Sequence, residues 1–266
     1  MRKIDINECH TILLDIAKEF HRICIENNIP YYMLGGTMLG AVRHKGFIPW
    51  DDDMDFGIPR EHYIRFKEVC KTELKEPYRF IHEDNSNYAV TGVGKIMDCR
   101  TELRETFSVD SDEKLGLYID IFPLDETDDN IGRFSFNAMM RATFKLQKLF
   151  VVNPNDRKGA IKWIAKIVKA IVPLKKTTLI KYINRKCLKR DASINKNMIF
   201  NIYGAWGFKE LIPKEVFSSP VLYQFEDTEL YGVANYDEYL KALYSNYMQL
   251  PPEDKRHTHT SDIYIH

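Results

Sequence analysis

Residues 33–58 read MLGGTMLGAVRHKGFIPWDDDMDFGI, and they constrain the fold more than any other stretch of the chain. A short apolar run, Tyr31 to Leu34, meets a Gly35-Gly36-Thr37 turn; the basic group Arg43-His44-Lys45 follows. Four aspartates then fall within five positions, Asp51, Asp52, Asp53 and Asp55. Met54, Phe56 and Ile58 alternate with the last two acids. That period is a strand pattern, in which residues i and i+2 share a face. A strand over 53–58 would project Asp53 and Asp55 together and turn Met54 and Phe56 to a core. Carboxylates that close raise each other's proton affinity. A hard divalent cation, Mg²⁺ or Mn²⁺, relieves the conflict and prefers oxygen ligands. The competing account is a solvated acidic loop over residues 51–55.

The surrounding chain predicts an α+β fold, a mixed β-sheet core flanked by helices. Apolar residues at helical spacing from Ile6 to Cys24 predict a helix over 6–27, ended before Pro30. A short helix is expected over 37–43 with Thr37 as its cap, and another over 60–75. Further strands are expected at Tyr78–Ile81, Val90–Met97 and Leu115–Phe122, the last stopped by Pro123. Residues 132–190 hold only two prolines and read as helical, so three parts are expected. These are a catalytic core over 1–130, a basic helical insert over 131–198, and a C-terminal segment over 199–266 that completes the active site.

Composition excludes several classes. Lys+Arg and Asp+Glu both number 38, so no global field favours nucleic acid, and none is expected as a partner. The five cysteines are odd in number and lack a C-x-x-C pair, which argues against a disulfide framework or a thiolate zinc site. The first twenty residues lack the apolar core of a signal peptide, and no run of about 18 apolar residues appears. The expectation is a cytoplasmic protein, with a peripheral place at the inner face of the cytoplasmic membrane left open.

A third carboxylate is Asp120, set among apolar neighbours in Tyr118-Ile119-Asp120-Ile121-Phe122. Such an acid is costly unless it is paired or metal-bound. Asp53, Asp55 and Asp120 are therefore the candidate metal ligands and catalytic groups, with Asp120 either a further ligand or the general base. Gly35, Gly36 and Thr37 lie between a strand and a helix start, where backbone N–H groups and the helix dipole favour anions. Arg43 and Lys45 follow within reach, a cradle for pyrophosphate. The segment lacks both the P-loop and the dinucleotide fingerprint. Lys95 is read either as a donor-binding group or as a surface lysine at a strand end.

Gly-Gly-Thr, an alternating D-x-D strand and a separate acid-bearing strand form the pattern of the nucleotidyltransferase superfamily. More narrowly, LGGTMLGAVRHKGFIPWDDDMD resembles the LicD family, which includes the fukutin-related proteins. Lys95-Ile96-Met97-Asp98, the Tyr118–Asp125 segment, Tyr236-Asp237-Glu238-Tyr239-Leu240 and MQLPPEDKR from Met248 extend the resemblance over about residues 10–260, weakly between 130 and 195. It implies transfer of a phospho-alcohol, such as phosphocholine, from a CDP-alcohol donor to a hydroxyl of a glycan or lipid-linked glycan, with CMP released. It also favours a substrate role for the His257–His259 tail, His259 above all; the residues alone equally fit a solvated end. Tyr244-Ser245-Asn246-Tyr247-Met248 departs from the family's Tyr-Gly-Asp-Tyr-Met, which puts the identity of the alcohol in question. A nucleotidyltransferase releasing pyrophosphate is the rival enzyme. A non-catalytic glycan- or membrane-binding protein on the same fold is the rival from outside catalysis.

Residues 157–190 carry twelve Lys or Arg and no acid. Lys158, Lys162, Lys166 and Lys169 share a helical stripe, with Ile161, Trp163, Ile164, Ile167, Val168 and Ile171 over much of the rest. Two accounts fit: a basic amphipathic helix at an anionic membrane surface, or a helix packed on the catalytic part with its lysines in water.

Overall fold

The computed structural model describes every residue except 87–91, 105–112, 129–130, 152–158, 172–176, 191–194 and 257–261. The first half runs β1 (Arg2–Lys3), α1 (Ile6–Glu26), β2 (Tyr32–Met33), α2 (Gly35–His44), β3 (Asp55–Pro59), α3 (Arg60–Glu73), β4 (Tyr78–Ile81), β5 (Gly94–Asp98), β6 (Thr101–Arg104) and β7 (Tyr118–Thr127). The second half runs α4 (Ile131–Val151), α5 (Ala160–Ile171), α6 (Thr178–Leu188), β8 (Met198–Phe200), β9 (Leu211–Pro213), α7 (Lys214–Phe217), β10 (Val221–Phe225), β11 (Thr228–Gly232), α8 (Tyr236–Tyr244) and β12 (Asp262–Ile265). The architecture is α+β: a mixed sheet flanked by helices, with a helical insert between β7 and β8.

The main sheet has the order β10-β11-β2-β3-β7-β5-β4, with β8 paired to the far end of β7 and β9 to β8. A small second sheet, β1-β12-β6, gathers strands from both ends of the chain. α1 begins where Asp5 accepts the N–H groups of Asn7 and Glu8 while Glu8 reaches back to the Asp5 N–H, a capping box. Its Leu13, Ile16, Ala17, Phe20, Ile23 and Cys24 are buried at helical spacing and share a core cluster with Phe56, Ile96, Ile119 and Ile121 of the central strands. Fully burying each such aliphatic or aromatic group is worth about 1.5–3 kcal/mol.

Pro123 does not end the strand. β7 continues to Thr127, and Ile58 of β3 stands opposite Pro123 in parallel register. The Asp120 N–H points to β3, donating to the Met54 carbonyl at 2.8 Å. By period two, the Pro123 nitrogen faces the other edge. There β5 has ended at its pairing with Ile121 and β8 begins only at Asp125. No ladder donor is required at that point, so proline is tolerated.

The insert is not separate from the sheet. Met140 and Phe144 of α4, Ile180 and Ile183 of α6 and Phe200 of β8 bury together, and Phe122 of β7 packs against them. Beneath them Arg60 and Asp125, both buried, form a two-pronged ion pair, with Arg60 Nη2 2.7 Å from Asp125 Oδ2. Arg60 also donates to Asn184 Oδ1 of α6 at 2.7 Å. None of the described helices is long and apolar enough to cross a membrane. The five cysteines are free, four of them buried.

Candidate active site

Three acids come from two adjoining strand ends. β3 and β7 are parallel neighbours, and their register sets Asp55 directly opposite Asp120. Asp53 precedes β3 rather than lying in it, yet Met54 and Phe56 are fully buried, so the predicted alternation holds. Burial, then Asp53, Asp120 and Asp51 in that order, push the Asp55 carboxyl well above the usual range, with Lys95 opposing. Lys95 is no surface lysine. It is buried on β5 opposite Asp120, its Nζ 2.5 Å from Asp120 Oδ1 and 3.6 Å from the centre of the Tyr118 ring.

α2 delivers the Gly-Gly-Thr turn to the same place. The helix starts at Gly35, two residues earlier than expected, and Thr37 is not its cap. The Thr37 hydroxyl instead accepts the Asp55 N–H at 2.8 Å, tying the turn to the head of β3. A helix start leaves its first N–H groups without partners inside the helix. That of Gly35 donates to the Tyr239 hydroxyl at 3.0 Å; of the other two turn residues, Gly36 lines the cleft and Thr37 is buried. A Cβ at position 36 would lie 2.7 Å from Asp51 Oδ2, so a larger residue there would displace that carboxylate.

These groups open on a cleft of about 740 Å³ lined by Gly36, Arg43, Asp51, Asp53 and Asp55 on one side. Trp206, the loop from Tyr244 to Tyr247, and Gln249 to Pro252 line the other. Gly36 and Arg43 are seven residues apart and so share a face of α2. Arg43 donates to the Tyr247 carbonyl at 2.7 Å, and burial lowers its pKa. Lys45 is exposed and caps α2 in a left-handed conformation, φ 62°, outside the lining of the cleft. His259 falls outside the described residues.

The far wall is aromatic. Tyr244 meets the Trp206 ring edge-on at 5.0 Å. Burial and then the Asp55 and Asp51 charges push the Tyr244 hydroxyl above its usual value. Trp206 is held from behind: its backbone N–H donates to Glu210 Oε1 at 2.8 Å, while Arg141 of α4 donates to the carbonyls of Ile202 and Gly204 at 2.7 and 2.8 Å. Sequence reasoning passed over Trp206 and gave Tyr239 no place in the site.

A second acidic group lies after β4, one strand beyond β5 from Asp120. His82, Glu83 and Asp84 each offer a ligand atom, all within 4.8 Å of one another, and the cluster can coordinate a divalent ion. Among the described residues it is the group that meets this spacing; Asp53, Asp55 and Asp120 are more widely set. Its acids already have a cationic partner, since Lys67 Nζ lies 3.0 Å from Glu83 and 2.7 Å from Asp84. Burial lowers the pKa of His82, which favours the neutral imidazole that a metal requires.

The family model described as LicD/FKTN/FKRP, nucleotidyltransferase domain, matches residues 28–160, the span that holds the paired strands and the Gly-Gly-Thr turn. The lipopolysaccharide cholinephosphotransferase LicD of Haemophilus influenzae is 30% identical over 274 aligned positions, covering 100% of both chains. The chain belongs to the LicD family. It is an enzyme of the nucleotidyltransferase superfamily, with a candidate metal-binding site. Two uncharacterized rickettsial proteins share part of this LicD-family sequence. One from Rickettsia typhi is 41% identical over 80 residues, 30% of this chain and 25% of its own. One from Rickettsia prowazekii is 27% identical over 147 residues, 55% and 51% of the two chains.

Proposed function

We propose that the protein transfers a phospho-alcohol from a CDP-alcohol to a hydroxyl of a cell-surface glycan or its lipid-linked precursor and releases CMP. The observation that carries this is the register of Asp55 against Asp120, with Asp51 and Asp53 crowding Asp55 in the lining of one cleft. An all-oxygen donor set whose own charges conflict fits Mg²⁺ or Mn²⁺. Asp53 and Asp55 would hold the ion, with Asp120 as further ligand or general base. Bound there, a divalent ion offsets the charge of the phosphate oxygens.

The residues of the chain then divide the work. The N–H groups at the start of α2, at Gly36 and Thr37, and the guanidinium of Arg43 receive the donor's diphosphate. Lys45 adds positive charge at the far end of the same helix. Asp120, set by Lys95, accepts the proton of the acceptor hydroxyl. Its oxygen forms a bond to the phosphorus distal to the cytidine, and the bond from that phosphorus to the CMP oxygen breaks. Trp206 and Tyr244 offer flat apolar faces to the donor or acceptor. The name of the Haemophilus relative supports a phosphocholine-like group. Asn246, which lines the cleft and donates to Gln249 at 3.1 Å, leaves the alcohol to be determined. The division into 1–130, 131–198 and 199–266 is retained as a proposal, supported by the lining residues that the last part lends to the cleft.

The test is a panel of CDP-choline, CDP-ethanolamine, CDP-glycerol and CDP-ribitol with Mg²⁺ and a glycan extract. CMP release that needs both acceptor and metal is expected. Pyrophosphate as product would replace this reading with nucleotidyl transfer. No turnover on any donor, with the fold intact, would favour a non-catalytic binding protein.

A further inference from the structure

We infer that α5 docks the protein on an anionic lipid surface by its exposed apolar stripe. Trp163, Ile164 and Ile167 are 65%, 52% and 55% exposed, three large apolar side chains on one helix face. Residues three and four apart on a helix are neighbours, so these form one contiguous strip. A helix packed on the core with only its lysines in water would bury them. The structure instead leaves apolar and basic groups accessible side by side: Lys166 is also exposed, its Nζ 5.3 Å from the centre of the Trp163 ring.

Two observations select the occupant. The first is charge. The strip lies within the 34 residues, 157–190, that hold twelve Lys or Arg and no acid. A second copy apposed on this face would bring like charges together, whereas anionic headgroups complement it. The second is length. The twelve residues of α5 rise about 18 Å, well short of the roughly 30 Å of a hydrocarbon core. Such a helix lies in the interface, with tryptophan and isoleucine sunk below the headgroups and lysines among them. None of these residues lines the catalytic cleft. The inference stands independently of the reaction proposed above.

Flotation of the full chain with vesicles tests it. One set is phosphatidylcholine alone; the other contains phosphatidylglycerol as well. Binding to the anionic set about tenfold or more above the neutral set is expected at low salt, with most of it lost at high salt. Combined Trp163→Ser, Ile164→Ser and Ile167→Ser lowers binding about tenfold, while the circular dichroism spectrum and the thermal melt stay as in the parent. Lys162→Glu with Lys166→Glu lowers anionic binding with the apolar strip intact. Failure to float with anionic vesicles at low salt overturns the inference, as does equal binding to both sets. So does a dimer in sedimentation that the triple serine variant dissolves, which would assign the strip to a second copy.

Discussion

Asp55 and Asp120 face each other across the parallel pair β3 and β7, and Lys95 faces Asp120 from the antiparallel strand on its other side. Three strands thus set two carboxylates and one ammonium in a row by backbone register alone. The arrangement is electrostatically unbalanced. Burial and three neighbouring acids raise the proton affinity of Asp55, and Lys95 alone opposes them.

Asp55→Asn should abolish turnover, by about 10³-fold or more, as expected when charge stabilisation at phosphate is lost. The same change removes a repelled charge, so the metal-free variant should melt at or above the parent. Mg²⁺ at 100 times its dissociation constant stabilises a protein that binds it only when folded by about 2.7 kcal/mol. Thermal melts should show that gain in the parent and not in the variant. An equal gain in both would place the ion elsewhere, with His82, Glu83 and Asp84 the next group to examine.

Lys95→Met removes the ammonium paired with Asp120 in a largely buried ion pair, with side chains 8% and 20% exposed. Loss of one partner of such a pair costs about 3 kcal/mol. The loss should be full in chelator and smaller with Mg²⁺ present, because a divalent ion takes over part of the neutralisation. Urea unfolding under both conditions measures it. Identical losses would show that ammonium and metal do not share the carboxylates.

Arg60→Met should destabilise by about 3–5 kcal/mol, since it strands Asp125 without its buried partner. Arg60→Met combined with Asp125→Leu should regain most of that stability, because both charges are then gone. Chemical denaturation of the two variants tells whether the pair or Arg60 packing matters more.

Burial pushes Glu210 up to about 7, against its hydrogen bond from Trp206 and the charge of Arg141. An acid whose folded pKa is raised keeps its proton where the unfolded chain has lost it. Its contribution is full below about 4.5, falls as pH rises toward 7, and is flat above that. At ~1.4 kcal/mol per tenfold change in proton affinity, the loss is about 3 kcal/mol. Glu210→Gln should flatten that part of the stability–pH curve. Because Glu210 carries the Trp206 N–H, the parent's affinity for its donor should also change over the same range.

How much was legible beforehand varies with the kind of interaction. Asp53 and Asp55 were readable because strand period is local, and Met54 and Phe56 marked the buried face. The stop at Pro123 was misplaced: whether a proline nitrogen needs a ladder partner depends on which strands flank it. Thr37 was misassigned for a similar reason, since its hydroxyl bonds a residue eighteen positions on rather than its own helix. Tyr239, Tyr244 and Trp206 carried no local signal, because they reach the site only when α8 packs against α2 and the turn before Gly207 closes over the cleft.

By itself, the sequence determined the local pattern: carboxylates in alternation, a glycine turn before a helix, and a basic stretch free of acids. These are properties of neighbouring residues, and short-range sterics and charge fix them. Only the tertiary structure decided which acids meet, that Lys95 belongs to Asp120, and that α5 turns its tryptophan outward. Those facts depend on strand register and on which helix face finds a partner, and both are set by packing between segments far apart in the chain.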